Sequence, residues 1–140
     1  MTGKKVLVIP CSGIGKPIGT VSRETAYEIK KRRPDIVETV CLAALTSGDE
    51  EAIKKLNKNF VITLDGCAKH CAQKNTQAFG KEPDKNYMIL KFAAANPDKK
   101  PEGIADIGGG GQKLVKTISE KIVEDIDDVT QNEDTKGVIS

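Results

Sequence analysis

The sequence has 140 residues, the length of one ordinary domain, so it can bury a core of its own without a metal ion or a disulfide to hold it together. Its 22 basic and 20 acidic residues nearly cancel to a net charge of +2, and it has three Phe, two Tyr and no Trp. This argues against a nucleic-acid partner, which is typically bound by a basic surface with stacking aromatic rings.

The first ten residues, MTGKKVLVIP, contain a short apolar run without a cleavage pattern, so we expect no signal peptide. No apolar stretch in the sequence approaches the roughly 20 residues of a transmembrane helix, and no membrane partner is expected. We therefore expect a cytoplasmic protein. Because cytoplasmic thiols stay reduced, its four cysteines are interpreted as ligands or reactive thiols before disulfides.

The chain begins with a strand pattern and then a helix pattern. Residues 4–9, KKVLVI, are typical of a strand buried on both faces, and Pro10 and Cys11 are expected to end it. A turn-rich loop follows. Apolar residues at helical spacing then predict a helix over residues 20–33, which Pro34 ends.

The middle of the chain repeats this alternation. Residues 35–42 predict a second, shorter strand. A Ser-x-x-Glu capping box at Ser47 and Glu50 predicts the start of a short helix. Residues 60–64, FVITL, predict a third buried strand, and residues 68–79 a helix.

The last third contains one more strand and a long helix. Residues 87–92, YMILKF, predict the fourth strand, and residues 93–110 are expected to be irregular. The run GGGG at 108–111 is interpreted as a linker, with a flexible lid or an anion-binding helix start as the alternatives. Residues 112–128 carry an apolar stripe at helical spacing.

Strands that alternate with helices favour a parallel sheet with right-handed crossovers. We predict a small three-layer α/β domain over residues 1–130, with a mostly parallel sheet of about four strands and helices on both faces. Residues 131–140 are polar and are expected to fray.

The four cysteines lie at or just after the ends of the predicted strands. Cys11 comes after the first predicted strand, Cys41 lies at the end of the second, Cys67 follows the third, and Cys71 lies one helical turn later. The carboxyl ends of parallel strands meet at one edge of a sheet, where ligands bind. The sequence therefore predicts that the thiols converge on one rim.

The segment DGCAKHC, residues 65–71, has the spacing of a metal-binding pair. Residues four apart share a face of a helix, roughly 5–6 Å apart at Cβ, so Cys67 and Cys71 can reach one ion. A cysteine near a helix N-terminus, as predicted for Cys67, is favoured as the thiolate that a metal requires.

Other residues near these cysteines have simpler interpretations. His70 points about 100° away from Cys71 on a helix, which argues against a ligand role. Asp65 is predicted to cap the following helix, and Gly66 to allow a tight turn. Cys41 also fits a small buried hydrophobic position, so its place among the ligands stays open at this point.

The chain resembles the DGC family over about residues 4–125. The specific part of the resemblance is the Asp-Gly-Cys triplet at residues 65–67, followed by Cys71 three residues later; Cys11 in PCSGIG and Cys41 in VCLAAL match the two earlier family cysteines. The family is described as zinc-binding through four cysteines, with no established activity. The resemblance therefore implies a zinc site formed by Cys11, Cys41, Cys67 and Cys71.

A different chemistry is suggested by VLVIPCSGIGKPIG. A cysteine that leaves a buried strand into a glycine-rich loop can accept a phosphoryl group, held by backbone N–H groups. In this respect the chain is similar to the cysteine-type B components of sugar phosphotransferase systems. Pro17 stands where the related low-molecular-weight phosphatases need an arginine, so only the phosphocarrier version of this hypothesis is kept.

Four thiols also suit an iron–sulfur cluster, and Cys67 with Cys71 also suits a redox dithiol. Our main prediction is a non-catalytic, cytoplasmic protein that binds zinc through Cys11, Cys41, Cys67 and Cys71. Its predicted partners are the metal ion and a small anionic ligand near the rim.

Overall fold

The computed structural model describes residues 5–11, 17–40, 45–66, 71–99, 101 and 108–139, without the side chains of 17–18 and 130–139. Four strands and five helices lie within these ranges. In chain order they are β1 (Val6–Cys11), α1 (Pro17–Arg32), β2 (Val37–Thr39), α2 (Glu50–Lys58), β3 (Phe60–Asp65), α3 (Cys71–Ala78), β4 (Lys85–Met88), α4 (Ile89–Ala95) and α5 (Gly108–Ile139). In the part of the chain so described, no helix has both the length and the hydrophobicity needed to cross a membrane.

The four strands form one parallel sheet in the order β2-β1-β3-β4. Apolar side chains of β1 and β3 alternate between its two faces. On one face Val6, Val8, Ile62 and Leu64 pack with buried residues of α1, α4 and α5. On the other face Leu7, Ile9 and Val61 pack with Ala52 and Leu56 of α2. The predicted three-layer α/β fold, with helices on both faces of a four-stranded parallel sheet, is confirmed.

The first strand extends past Pro10 to Cys11, whereas the sequence predicted that Pro10 and Cys11 would end it. The Val6 N–H donates to Ile36 O at 2.8 Å, and Val8 O accepts from the Val40 N–H at 3.0 Å, so alternate residues of β1 bond toward β2. Pro10 is next in this alternation and has no N–H to donate to β2, and within the described residues the pairing of the two strands ends at Val8 and Thr39. β1 nevertheless continues beside β3 through Cys11.

The predicted second strand, residues 35–42, was too long. The N–H groups of Ile36 and Val37 both donate to Arg33 O in a turn after α1, which delays the strand to Val37. Within the described residues β2 ends at Thr39, and positions 41 and 42 lie outside them.

The cap of α2 is Asp49, so the predicted Ser47–Glu50 capping box was wrong. Asp49 Oδ1 accepts from the Glu51 N–H at 3.0 Å and from the Ala52 N–H at 3.3 Å. Gly48 separates Ser47 from the helix with a φ of 81°, a turn conformation that glycine adopts without strain. Ser47 is therefore not adjacent to the first helical turn.

The fourth strand was also predicted in the wrong place. β4 covers Lys85–Met88, and the predicted strand continues instead as the helix α4. Ile89 is buried and Phe92 and Ala93 pack against the same core, a helical spacing, whereas Leu90 is 45 % exposed. An apolar run such as YMILKF fits either state, and contact with the core decides it.

The last helix is longer than predicted and begins within the glycine run. Gly108–Gly111 form the first turn of α5 rather than a linker, and the backbone is helical to Ile139. The predicted irregular segment 93–110 is therefore shortened at both ends by α4 and α5. The fraying of residues 131–140 stays a prediction.

Two of the polar contacts that hold α5 to the rest of the domain involve aspartates of this helix. Arg33 donates to both carboxylate oxygens of Asp127 at 3.0 and 2.6 Å, which holds the pKa of Asp127 below its usual value. Tyr87 Oη donates to Asp125 Oδ2 at 2.5 Å. Burial and this hydrogen bond both raise the pKa of Tyr87, so its hydroxyl stays protonated and remains a donor.

Candidate metal centre

Cys11 and Asp65 lie side by side at the carboxyl-end rim of the sheet. They are paired residues at the ends of β1 and β3, so their side chains project from the same face. Leu7 and Ile9 occupy this face of β1 below Cys11 and pack in the core. The Cys11 side chain is only 7 % exposed. The register therefore fixes one thiol beside one carboxylate.

The Asp65 carboxylate caps α3, as the sequence predicted. Asp65 is fully buried, and its Oδ1 accepts from the Ala72 N–H at 2.7 Å. Its Oδ2 accepts from the Gln73 N–H at the longer distance of 3.4 Å. A carboxylate at this end of a helix satisfies amide groups that have no partner within the helix. The first turn of α3 is therefore held against the end of β3.

Cys71 is the first residue of α3 within the described part of the chain, and its side chain is half-buried. Its carbonyl oxygen accepts from Asn75 Nδ2 at 2.8 Å, which ties its backbone into the helix. Since the next residue, Ala72, bonds to Asp65, and α3 also contacts β1, Cys71 and Cys11 lie at the same corner of the rim. Cys11 and Cys71 are thus both linked to Asp65, the first by strand pairing and the second through the residue that follows it.

The other predicted site residues, Cys41 and Cys67, lie outside the described residues, as does His70. Within the residues that are described, no group of three or more His, Cys, Asp or Glu side chains is placed to hold a metal ion. Because two of the four predicted ligands lie outside the described residues, the four-cysteine site stays a prediction.

The side-chain chemistry of Cys11 and Cys71 would suit a thiophilic metal ion. Cys11 and Cys71 both carry thiols rather than disulfides. Thiolates are preferred ligands of zinc and of iron–sulfur clusters, whereas magnesium and calcium prefer oxygen. The carboxylate of Asp65, which is paired with Cys11 at this rim, already accepts hydrogen bonds from backbone amides.

Sequence reasoning missed Asn86, a residue of β4 that binds the Asp65 side chain. Asn86 Nδ2 donates to Asp65 Oδ2 and to Thr63 Oγ1, both at 2.7 Å. Thr63 and Asp65 are polar residues at alternate positions of a strand whose interior is otherwise apolar, and both are fully buried. These two alternate polar positions are the one feature of the sequence that could have indicated a polar residue beside them on the next strand.

Two described grooves open near the same rim. One, of about 420 Å³, has Glu38, Asp49, Glu51 and Lys55 among its lining residues, so acidic groups predominate. The other, of about 470 Å³, lies between β4 and α4, and its charged lining residue is Lys91. The predicted small anionic ligand stays untested, and the groove at Lys91 has the charge that suits it.

A family model, the DGC domain, matches residues 7–108, which is more than half of the chain and spans all four cysteines. No curated protein and no solved structure was found to match the chain. The matched region includes the rim on which Cys11, Asp65 and Cys71 lie. The chain belongs to the DGC family.

Proposed function

We propose that the protein binds one zinc ion through the thiolates of Cys11, Cys41, Cys67 and Cys71 at the carboxyl-end rim of its sheet. The observation that supports this most strongly is the connection from Cys11 to Cys71. Cys11 is paired with Asp65, and Asp65 holds the amide that follows Cys71. This connection supports a site to which two segments distant in sequence each contribute a thiol.

Coordination by four thiolates limits the chemistry of such a site. A zinc ion with four protein ligands has no open position for water or substrate, which is typical of structural and metal-handling sites. The chain's residues would therefore hold the ion and exclude water from it. We propose a non-catalytic role on this ground.

The domain has a core that does not depend on the site. Both hydrophobic clusters found among the described residues are built from aliphatic and aromatic side chains, and neither includes a cysteine. A metal ion is therefore an addition to a domain that folds around its own apolar core. This distinguishes the proposed site from that of a zinc finger, which is unfolded without its metal.

The burial of Cys11 favours a ligand over a phosphocarrier. A cysteine that exchanges a phosphoryl group with another protein must be reached by it, whereas a metal ligand is shielded. Cys11 is buried at the end of a central strand. The iron–sulfur alternative requires the same thiolates, so metal analysis has to separate it from zinc.

Metal analysis of protein purified without added metal tests the proposal. We expect close to one zinc per chain and a colourless preparation, because zinc thiolates do not absorb visible light. A brown preparation with iron and acid-labile sulfide would replace zinc by a cluster. Protein with four reduced thiols and no bound metal would contradict the proposed function as a whole.

A further inference from the structure

Both N–H groups of the Asn86 side chain donate to β3. Its two N–H bonds go to Thr63 Oγ1 and Asp65 Oδ2, which lie two residues apart on one face of that strand. A carboxylate only accepts hydrogen bonds, so Asp65 requires the amide nitrogen, rather than the amide oxygen, to face it. Both acceptors are fully buried, where an unmade hydrogen bond is costly.

The bond from Asn86 Nδ2 to Oδ2 fixes the orientation of the Asp65 carboxylate. With Oδ2 held by Asn86, Oδ1 faces the Ala72 N–H at 2.7 Å. Rotation of the carboxylate would break one of these short bonds. Cys71 precedes Ala72 and is tied into α3 by Asn75, so it moves together with the first turn of the helix.

We propose that Asn86 is a positioning residue of the metal site, which acts through Asp65 to hold Cys71 where it shares a metal ion with Cys11. The inference rests on the proposed function. Residues that orient metal ligands from outside the coordination shell commonly change metal affinity by roughly 10–100-fold when they are replaced. Asn86 belongs to β4, which carries none of the four cysteines, so this role arises from strand register alone.

The test is zinc binding by the full chain in competition with a chromophoric chelator, at a temperature where each variant is folded by circular dichroism. Asn86→Ala is expected to raise the zinc dissociation constant roughly 10–100-fold. Asn86→Ser, which keeps one O–H donor, is expected to give a smaller increase. Should Asn86→Ala fail to fold, Asn86→Ser takes its place, and a zinc dissociation constant above that of the wild type is the expected result.

Asn59→Ala is the matched control. Asn59 also makes two hydrogen bonds, accepting from the Lys5 N–H and donating to Lys55 O, both at 2.8 Å, but it lies at the amino end of β3. We expect it to lower stability without changing zinc affinity. A folded Asn86 variant that binds zinc as tightly as the wild type would overturn the positioning role and leave the four-cysteine site standing. A wild-type protein that binds no zinc would instead overturn the proposed function.

Discussion

Replacing Cys71 by serine is expected to abolish metal retention, and Cys67→Ser is expected to do the same. A serine hydroxyl does not ionise near neutral pH, so three thiolates remain and the tetrahedral shell is incomplete. Serine is well tolerated at the start of a helix, where Cys71 lies, so the fold should survive. Metal content after desalting, measured beside the far-UV circular dichroism spectrum, checks both parts of this expectation.

His70→Ala is the control for these cysteine variants, since the sequence predicts that His70 is not a ligand. It should retain the metal as the wild type does. If this change alone released the metal, the ligand set would be three cysteines and one histidine. Metal retained at wild-type levels in Cys71→Ser would remove Cys71 from the set.

Replacing Asp65 by alanine is expected to lower the free energy of unfolding by about 3 kcal/mol. Loss of a helix cap costs about 1 kcal/mol, and a buried amide left without its acceptor costs about 2 kcal/mol more. That is a large share of the total stability of a small domain, about 5–15 kcal/mol. Urea unfolding of the metal-free protein, followed by circular dichroism, measures it.

Asp49→Ala provides the matched comparison for this prediction. Asp49 also caps a helix through two backbone N–H groups, but it is exposed and has no counterpart to Asn86 among its described contacts. Its loss should cost only about 1 kcal/mol. Equal losses in the two variants would show that the buried network around Asp65 adds nothing to the cap.

The fold was largely predictable because its central strands are continuous apolar runs. VLVI and FVITL are buried on both faces, and such runs between helical patterns favour a parallel sheet. The segment YMILKF was not predictable, because its residues suit a strand as well as a helix. Its state depends on Ile89 and Phe92 reaching the core, which local sequence does not encode.

The part of the candidate site that depends on the order of strands and helices was predictable. Cys11 and Cys71 lie on one rim because strand ends converge there, and Asp65 was predicted as a cap from its place before a helix. Asn86 was not predictable, because its contact with Asp65 depends on the register between β3 and β4. A hydrogen bond across a strand pair leaves almost no local pattern in the sequence.

The central claim is that four cysteine sulfurs share one zinc ion, and X-ray absorption at the zinc edge tests it most directly. For protein purified without added metal, we predict a first shell of four sulfur atoms at about 2.3 Å from zinc. A shell that contains nitrogen or oxygen atoms at about 2.0–2.1 Å would contradict this claim.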